Sequence, residues 1–256
     1  MPGFLMMLYG VVSYTFFFAT FLFLVGFVGN LPLPLLLPKT IDSGLPGPVD
    51  EAVIVNLLLI ALFGVQHSVM ARPAFKRWWT RLVPEPIERS TYVLAATLAL
   101  ALMLWQWRPI AAPIVWNVEQ TAAGVALEVV FWAGWGVLLL STFLLNHFEL
   151  FGLRQVFARL LRKTLPVSQF RTPLLYGHVR HPIYLGFLLL LWATPRMTAG
   201  HLLFAVGMTL YIFVGIYFEE RDLVAQFGDR YRRYREQVSM LLPWPRKAPR
   251  PGPVNQ

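Results

Sequence analysis

The residues of this chain that are best suited to chemistry form two motifs on either side of an apolar stretch. The first motif, at 176–186, reads YGHVRHPIYLG, and the second consists of Glu219 and Glu220 followed by FGDRYRRY at 227–234. Arginine pairs with a carboxylate in bidentate fashion, glutamate holds an ammonium group, and tyrosine or histidine stacks on a flat base or faces a cation. Ionisable residues beside lipid-embedded helices are costly and usually functional. The two motifs therefore predict a site for a zwitterionic ligand.

Composition indicates that these motifs belong to an integral membrane protein. Of the 256 residues, 57% are hydrophobic and only 14% are charged, which is too apolar for an ordinary water-soluble domain. The absence of cysteine excludes disulfides, thiolate metal sites and cysteine-based covalent intermediates, so any thiol chemistry belongs to a substrate. The net charge of +9 comes from basic residues beside apolar stretches, a pattern of the cytoplasmic membrane surface rather than of nucleic-acid binding.

The hydropathy pattern predicts an all-α fold. The apolar region 183–218 is longer than one span, and a break at 195–198 predicts a tight turn between a short helix and a long antiparallel one. We expect a polytopic membrane bundle of five to six transmembrane helices, with the last two forming a hairpin, and short cytoplasmic helices. Four further stretches have the ~20 residues that cross a bilayer; they are 8–29, 52–70, 92–107 and 124–145.

The predicted organisation is a single membrane domain, 1–256. Residues 1–145 carry the four N-terminal spans, 146–243 form the ligand-binding region, and 244–256 form a flexible tail that is rich in proline and basic residues. Apolar and basic residues alternate over 150–165 and predict an amphipathic helix on the inner leaflet. Gly228 ends the last span, and Asp229 is expected to be the N-cap of a short basic helix that ends at Val238.

Topology brings the polar residues at the helix ends to one side of the membrane. Nineteen of the 22 Lys and Arg residues fall in 72–89, 154–180 and 221–250, so the positive-inside rule assigns these segments and both termini to the cytoplasm. Five spans then offer polar groups to one cytoplasmic cavity. Those groups are Gln66-His67-Ser68 and the segments 88–92, 146–149, 178–184 and 219–222.

Most of these clusters also have a purely structural interpretation. His67 could bond to a carbonyl at a helix end, and Asn146 with His147 could simply end the fourth span. Arg180 could be a topogenic charge, and Pro182 an ordinary proline of a first helical turn. Glu219 and its neighbour resist such an interpretation, because acids at that position do not help orientation and need partners if partly buried.

The same residues carry a family resemblance. RHPIYLG at 180–186, the membrane hairpin, the Glu219-Glu220 pair and GDRYRRY at 228–234 resemble the isoprenylcysteine carboxyl methyltransferase superfamily of membrane methyltransferases. That match covers 176–243. Gly177 departs from the pattern, because relatives would have a larger and often basic residue there. Four other segments make the whole chain similar to the bacterial methanethiol S-methyltransferases; they are 67–76, 84–92, 146–155 and 193–201.

The resemblance implies that S-adenosyl-L-methionine binds at the cytoplasmic side and is covered by the C-terminal helix. The methionine carboxylate would suit Arg180 or Arg232 and the ammonium Glu219 or Glu220, with Arg180 and Glu219 favoured. The adenine slot would come from Tyr176, His178, Tyr231 or Tyr234, and His181 and Tyr184 would lie nearer the sulfonium. The full predicted set is Tyr176, His178, Val179, Arg180, His181, Pro182, Tyr184, Leu185, Glu219, Glu220, Tyr231, Arg232 and Tyr234.

The resemblance also implies a reaction, in which a methanethiol thiolate attacks the sulfonium methyl in line and yields dimethyl sulfide and S-adenosylhomocysteine. A free thiol is mostly protonated near neutral pH, so a base is needed. His147 and His67 are the candidates, with Glu149 or Asn146 orienting the imidazole. The implied partners are a small thiol and the bilayer of a bacterial inner membrane, with the active site facing the cytoplasm and without a metal ion or nucleic acid.

Three alternatives remain open on the sequence. The acceptor could be a prenylated cysteine carboxylate, a phospholipid amine or a larger thiol. The chain could be a non-catalytic relative, similar to denitrification-associated membrane proteins, although both motifs that such a relative would lose are present. It could also be a haem protein with His67 and His147 as axial ligands.

Overall fold

A computed structural model describes residues 2–31, 39–44, 47–166 and 170–243, and within them the chain is an all-α bundle with one two-stranded sheet. The predicted tail at 244–256 lies outside the described residues. Five of the described helices, α1, α2, α4, α5 and α9, are long and apolar enough to span a membrane. The elements in chain order are α1 (Gly3–Val28), α2 (Val49–Met70), α3 (Pro73–Trp79), α4 (Glu85–Gln106), β1 (Ile114–Asn117), α5 (Ala122–Leu145), α6 (His147–Leu150), α7 (Leu153–Leu160), a 3-10 helix (Leu174–Gly177), α8 (Pro182–Trp192), β2 (Arg196–Thr198), α9 (Ala199–Phe227) and α10 (Asp229–Gln237).

Helix α8 is a short arm rather than a sixth full span. Its 11 residues rise about 16 Å, roughly half of a ~30 Å hydrocarbon core. The prediction of a tight turn at 195–198 is wrong, because the chain continues extended into β2, which pairs antiparallel with β1. The indole of Trp116 also donates to the Thr194 carbonyl at 2.9 Å. These bonds satisfy polar backbone groups in a part of the chain that lacks helical bonds.

Two glycines fix the position of α8 against α5. A Cβ built on Gly186 would lie 2.8 Å from the Gly134 carbonyl oxygen, and one built on Gly134 would lie 2.9 Å from the Gly186 carbonyl oxygen. The two backbones therefore touch, as small residues permit at membrane helix crossings. This crossing sets where α8 begins and hence where the motif before it lies.

The chain after α9 returns to the first motif. Gly228, at φ 57°, separates α9 from α10, and Asp229 is the first residue of α10 rather than its predicted N-cap. After α10, the backbone N–H of Arg180 donates to the Ser239 carbonyl at 2.8 Å and that of His181 to the Met240 carbonyl at 3.2 Å. The segment beyond α10 is therefore fastened along the residues that precede α8.

The predicted amphipathic helix at 150–165 is present in a shorter form as α7. Its one buried residue, Val156, packs in a small apolar cluster with Met6 of α1 and Ile87 of α4. Gly10 of α1 makes room for this side chain, because a Cβ there would lie 2.7 Å from a Val156 methyl carbon. Helix α7 therefore docks on α1 and α4 at the same end of the bundle as the two motifs.

Candidate functional site

An ion network joins the two motifs at the end of α9. The Glu220 carboxylate accepts hydrogen bonds from Arg180 Nε at 2.7 Å and from His181 Nε2 at 3.2 Å, and lies 3.3 Å from Arg235 Nε. Arg180 Nη1 also donates to the carbonyls of Arg235 (3.1 Å) and Val238 (2.6 Å). Only 6% of the Arg180 side chain and 11% of the Glu220 side chain are exposed. These contacts fasten the start of α8, the end of α9 and α10 to one another.

Glu219 differs from its neighbour in exposure and in partners. Its side chain is 43% exposed, and its Oε2 lies 3.8 Å from His181 Nδ1. The Tyr184 hydroxyl lies near the same carboxylate, and the Tyr184 ring centroid lies 5.6 Å from that of His181. Of the two adjacent acids, Glu220 is therefore paired with protein cations, whereas much of the Glu219 side chain is exposed.

A polar cavity opens beside the ion network. It has a volume of about 370 Å³ and is lined by Arg180, Arg232, Arg235 and Glu236. Small-molecule sites usually measure ~300–1,000 Å³. Three guanidinium groups and one carboxylate suit a ligand that carries a carboxylate and a second polar group, because guanidinium binds carboxylate through two parallel hydrogen bonds. Arg232 also pairs with the exposed Asp229, and such a surface pair is weak.

Three of the four residues predicted for an aromatic slot come together next to this cavity. The Tyr234 hydroxyl donates to the Tyr176 carbonyl at 2.5 Å, and the rings of Tyr234 and Tyr231 lie 5.7 Å apart. Burial raises the pKa of Tyr234 to about 12 and also raises the pKa of Tyr231 and of Tyr176, so their hydroxyls stay protonated. His178 does not join them, since it is exposed and bonded to the Leu174 carbonyl at 3.1 Å.

Phe170 is an aromatic residue of this group that sequence reasoning missed. Its ring lies 5.7 Å from that of Tyr231 and 5.2 Å from that of Tyr234, and the Arg230 guanidinium lies 5.4 Å from its centroid. Phe170 stands alone in a polar segment without helical periodicity, so no sequence signal points to it. The aromatic group therefore contains one ring that was not predicted.

The remaining predicted residues of the first motif shape the backbone around the network. Val179 is buried and forms a parallel bridge with Ser239. Pro182 is the buried first residue of α8. Leu185 lines a second, apolar cavity of about 680 Å³ between α5, α8, α9 and the segment after α10, with Leu188, Trp192 and Met240 among the other lining residues.

His67 lies in a cluster contributed by α2, α4 and α9. Its Nε2 is hydrogen-bonded to the Tyr92 hydroxyl at 2.7 Å, and its ring meets that of Tyr211 edge-on at 6.1 Å. The Nδ1 atom is buried and has no hydrogen-bond partner. The Arg89 guanidinium lies 4.9 Å from the centroid of the Tyr92 ring. A buried imidazole nitrogen without a partner is the kind of atom that a substrate proton could reach.

Charged groups surround the His67 cluster. Arg72 donates from Nε to the Ser68 carbonyl at 3.0 Å and pairs through Nη1 with Asp222 at 2.9 Å, which links the end of α2 to α9. Asp222 follows Glu219 by three residues on α9, so this ion pair brings the end of α2 to the region of the two motifs.

His147 lies in a different cluster, formed by α1, α5 and α6. Its Nε2 is hydrogen-bonded to the Tyr14 hydroxyl at 2.8 Å and its Nδ1 to the Thr142 hydroxyl at 2.9 Å, and its ring stacks on that of Phe143 at 4.4 Å. Burial lowers the pKa of His147, so the imidazole is neutral near pH 7. Tyr14 and Thr142 were not predicted from the sequence.

The structure contradicts the prediction that Asn146 or Glu149 orients His147. The Asn146 amide donates to Glu149 at 3.0 Å, and Arg154 pairs with the same carboxylate. The expected single cavity is also divided, because His147 shares no contact, within the described part of the chain, with the Arg180–Glu220 network. The Nε2 atoms of His67 and His147 are both hydrogen-bonded to tyrosine hydroxyls, so neither Nε2 is free to ligate a haem iron. In the same residues, no group of three or more His, Asp or Glu side chains could hold a metal ion.

Comparison with known proteins gives the family. The chain is 55% identical over 247 residues to the methanethiol S-methyltransferase of Mycobacterium tuberculosis, covering 96% of this chain and 99% of that protein. It is 57% identical over 243 residues to methanethiol S-methyltransferase 1 of Bradyrhizobium diazoefficiens, covering 95% and 84%. Nurim of Bos taurus is 30% identical over 264 aligned positions, covering 94% and 95%. No protein-family model matches the chain, and neither does any solved structure.

Both bacterial alignments run through the N-terminal spans as well as the two motifs, so the similarity is not confined to a shared cofactor site. The more distant Nurim similarity fits the wider membrane methyltransferase superfamily. The chain belongs to the methanethiol S-methyltransferase family.

Proposed function

We propose that this protein transfers the methyl group of S-adenosyl-L-methionine to methanethiol at the cytoplasmic side of a bacterial inner membrane. The observation that carries the proposal is the meeting of the Arg180–Glu220 network, the Glu219–Tyr184 pair and the His67–Tyr92 pair at one end of the bundle. The names of the bacterial relatives support methanethiol as the acceptor. The basic residues of α3, α7 and α10 at that end support the cytoplasmic orientation.

The residues around the polar cavity fit the proposed methyl donor. Arg232, whose partner Asp229 is exposed, and Arg235, which also pairs with Glu220, line the cavity that would take its carboxylate. Glu219 is the acid with the exposed carboxylate for its ammonium group. Arg180 lines the same cavity, but its bonds to Glu220 and to two carbonyls make it the residue that holds the site together. When bound, S-adenosyl-L-methionine supplies an electrophilic methyl group on a positively charged sulfur.

The aromatic group fits the adenine of the same ligand. The rings of Tyr231, Tyr234 and Phe170 gather beside the cavity, and the Tyr176 carbonyl is bonded to Tyr234. Rings offer stacking to a flat base. His178, exposed and outside this group, is left without a role in the proposal.

His67 is the base that the geometry favours. An imidazole that donates its Nε2–H to the Tyr92 oxygen presents a lone pair at Nδ1, and that atom has no protein partner. The thiol proton passes to Nδ1, the sulfur forms a new bond to the methyl carbon, and the bond from that carbon to the sulfonium breaks. Arg72 and Arg89 stabilise the thiolate electrostatically. His147, with both ring nitrogens bonded to protein, keeps a structural role.

Tyr184 and the lipid surroundings contribute to positioning. The Tyr184 ring lies 5.6 Å from that of His181 and near Glu219. It would face the sulfonium, because an aromatic face attracts a cation. The apolar cavity along α8 offers an uncharged thiol a route from the bilayer. Alignment of sulfur and methyl carbon in a site of low water content supplies much of the acceleration.

The proposal is tested with purified, detergent-solubilised protein, S-adenosyl-L-methionine and methanethiol, by measuring dimethyl sulfide in the headspace by gas chromatography. The Glu219→Gln variant should lose most product, whereas Asp229→Asn, which removes an exposed acid from the same region, should keep it. If methanethiol gives no product although the methyl donor binds by calorimetry, the acceptor is wrong. If the donor does not bind either, the whole assignment is wrong.

A further inference from the structure

One face of α9 runs from the ion network towards the centre of the membrane. Tyr211, Gly215 and Glu219 are spaced by four residues and therefore lie above one another on this face. The Tyr184 hydroxyl lies near Glu219, and a Cβ on Gly215 would lie 3.6 Å from that hydroxyl oxygen. Gly215 thus leaves space between the sulfonium side of the proposed site and Tyr211.

Tyr211 is held firmly at the far end of this space. Its hydroxyl lies near the Ser68 side chain, and its ring centroid lies 5.6 Å from that of Phe63. Gly64 of α2 leaves room for the ring, because a Cβ there would lie only 3.0 Å from Tyr211 Cδ2. Contacts from three residues of α2 therefore fix the ring in one position.

The same ring faces the proposed base. The rings of Tyr211 and His67 are perpendicular at 89°, with centroids 6.1 Å apart. A thiol that gives its proton to His67 Nδ1 would therefore have the Tyr211 ring beside it. With the sulfur directed at a methyl group near Tyr184, a rigid ring at that position would limit the space for carbons beyond the first.

We propose that Tyr211 is the specificity-determining residue that restricts the acceptor to the smallest alkyl thiol. This inference rests on the proposed function, since it concerns the acceptor side of that site. A pocket wall that rejects one additional methylene typically discriminates by about 10- to 200-fold in kcat/KM. Methanethiol should therefore exceed ethanethiol by at least 10-fold, and 1-propanethiol by more.

The test is the ratio of kcat/KM for methanethiol to that for ethanethiol and 1-propanethiol, with each methyl sulfide product measured by gas chromatography. Tyr211→Leu should lower both ratios at least 10-fold, and Tyr211→Phe should keep them, because the ring remains. Tyr217→Leu is the matched control: the same substitution on the same helix at a side chain that is 66% exposed should change neither ratio nor rate. Donor affinity by calorimetry should stay within about 3-fold in all three variants.

The outcomes separate this inference from the proposed function. Wild-type protein that makes no dimethyl sulfide contradicts the function, whereas wild-type protein that methylates all three thiols equally well contradicts only the role of Tyr211. An unchanged ratio in Tyr211→Leu also overturns it. If Tyr211→Leu does not fold, Gly64→Ala decides instead: a Cβ that presses on the ring should raise KM for methanethiol, and an unchanged KM would contradict the inference.

Discussion

Glu219 and Glu220 are adjacent, yet the structure gives them opposite roles that substitution by glutamine can separate. Glu220 is buried among Arg180, His181 and Arg235, so Glu220→Gln leaves buried cations without their counter-charge. Breaking a buried ion pair in this way costs about 3–5 kcal/mol of stability. Glu219 is 43% exposed, and its removal leaves no comparable charge unpaired. We expect Glu220→Gln to lower the thermal unfolding midpoint clearly and Glu219→Gln to leave it nearly unchanged.

Ligand binding should show the reverse order. Loss of a hydrogen bond to a charged group costs about 1.5–3 kcal/mol, which corresponds to about a 10- to 150-fold rise in the Kd for the methyl donor in Glu219→Gln. Tryptophan fluorescence in detergent gives the unfolding midpoint, and titration calorimetry gives the Kd. The reasoning is refuted if Glu219→Gln unfolds as readily as Glu220→Gln, or if it binds the donor with wild-type affinity.

Three further predictions concern the base, the helix crossing and pH. His67→Gln should lower turnover by about 10²–10⁴-fold and leave donor affinity unchanged. Turnover should partly recover at high pH, where the thiol ionises without a base. A similar loss of turnover in His147→Gln would contradict the choice of His67 as the base. Gly186→Ala should cost about 1–3 kcal/mol of stability and so lower the unfolding midpoint, because the added Cβ would lie 2.8 Å from the Gly134 carbonyl oxygen. An unchanged midpoint would mean that α5 and α8 do not cross at this position. Burial lowers the pKa of His147 in the folded state, so below the ordinary pKa of 6.5 the unfolded state binds more protons than the folded state. The stability of the wild-type protein should therefore fall as the pH drops through 6.5. The fall should be steeper than in His147→Gln, which lacks this titrating group.

The sequence was informative where a single segment carries the signal. Apolar stretches long enough for a bilayer located five spans, because lipid leaves few alternatives to a helix. The break at 195 correctly made α8 short, but the pattern could not tell a tight turn from a strand, since the partner of β2 is β1, nearly 80 residues earlier. Pairing across such a distance leaves no local pattern to read.

The candidate site was harder to predict for the same reason. The motif residues Arg180 and Glu220 were visible because arginine and glutamate beside a span are unusual. Tyr211 was not, because a tyrosine in an apolar helix is common, and only its contacts with Gly64 and His67 single it out. His147 was predicted as a base on its residue type, yet the Tyr14 hydroxyl on a distant helix occupies its Nε2.

Depth in the bilayer accounts for the separation of charged and apolar groups in the proposed site. From Thr198, the N-cap of α9, 22 residues lead to Glu220, a rise of about 33 Å, so the two residues lie at opposite edges of a ~30 Å core. Tyr211 follows Thr198 by 13 residues, about 20 Å, and lies well inside the core. A charged methyl donor can then stay among the arginines at the edge while an uncharged thiol arrives from the apolar side. Water is scarce at that depth, so in the proposed reaction the thiol would give up its proton to a protein atom. The buried Nδ1 of His67, which has no hydrogen-bond partner, is the acceptor that we propose.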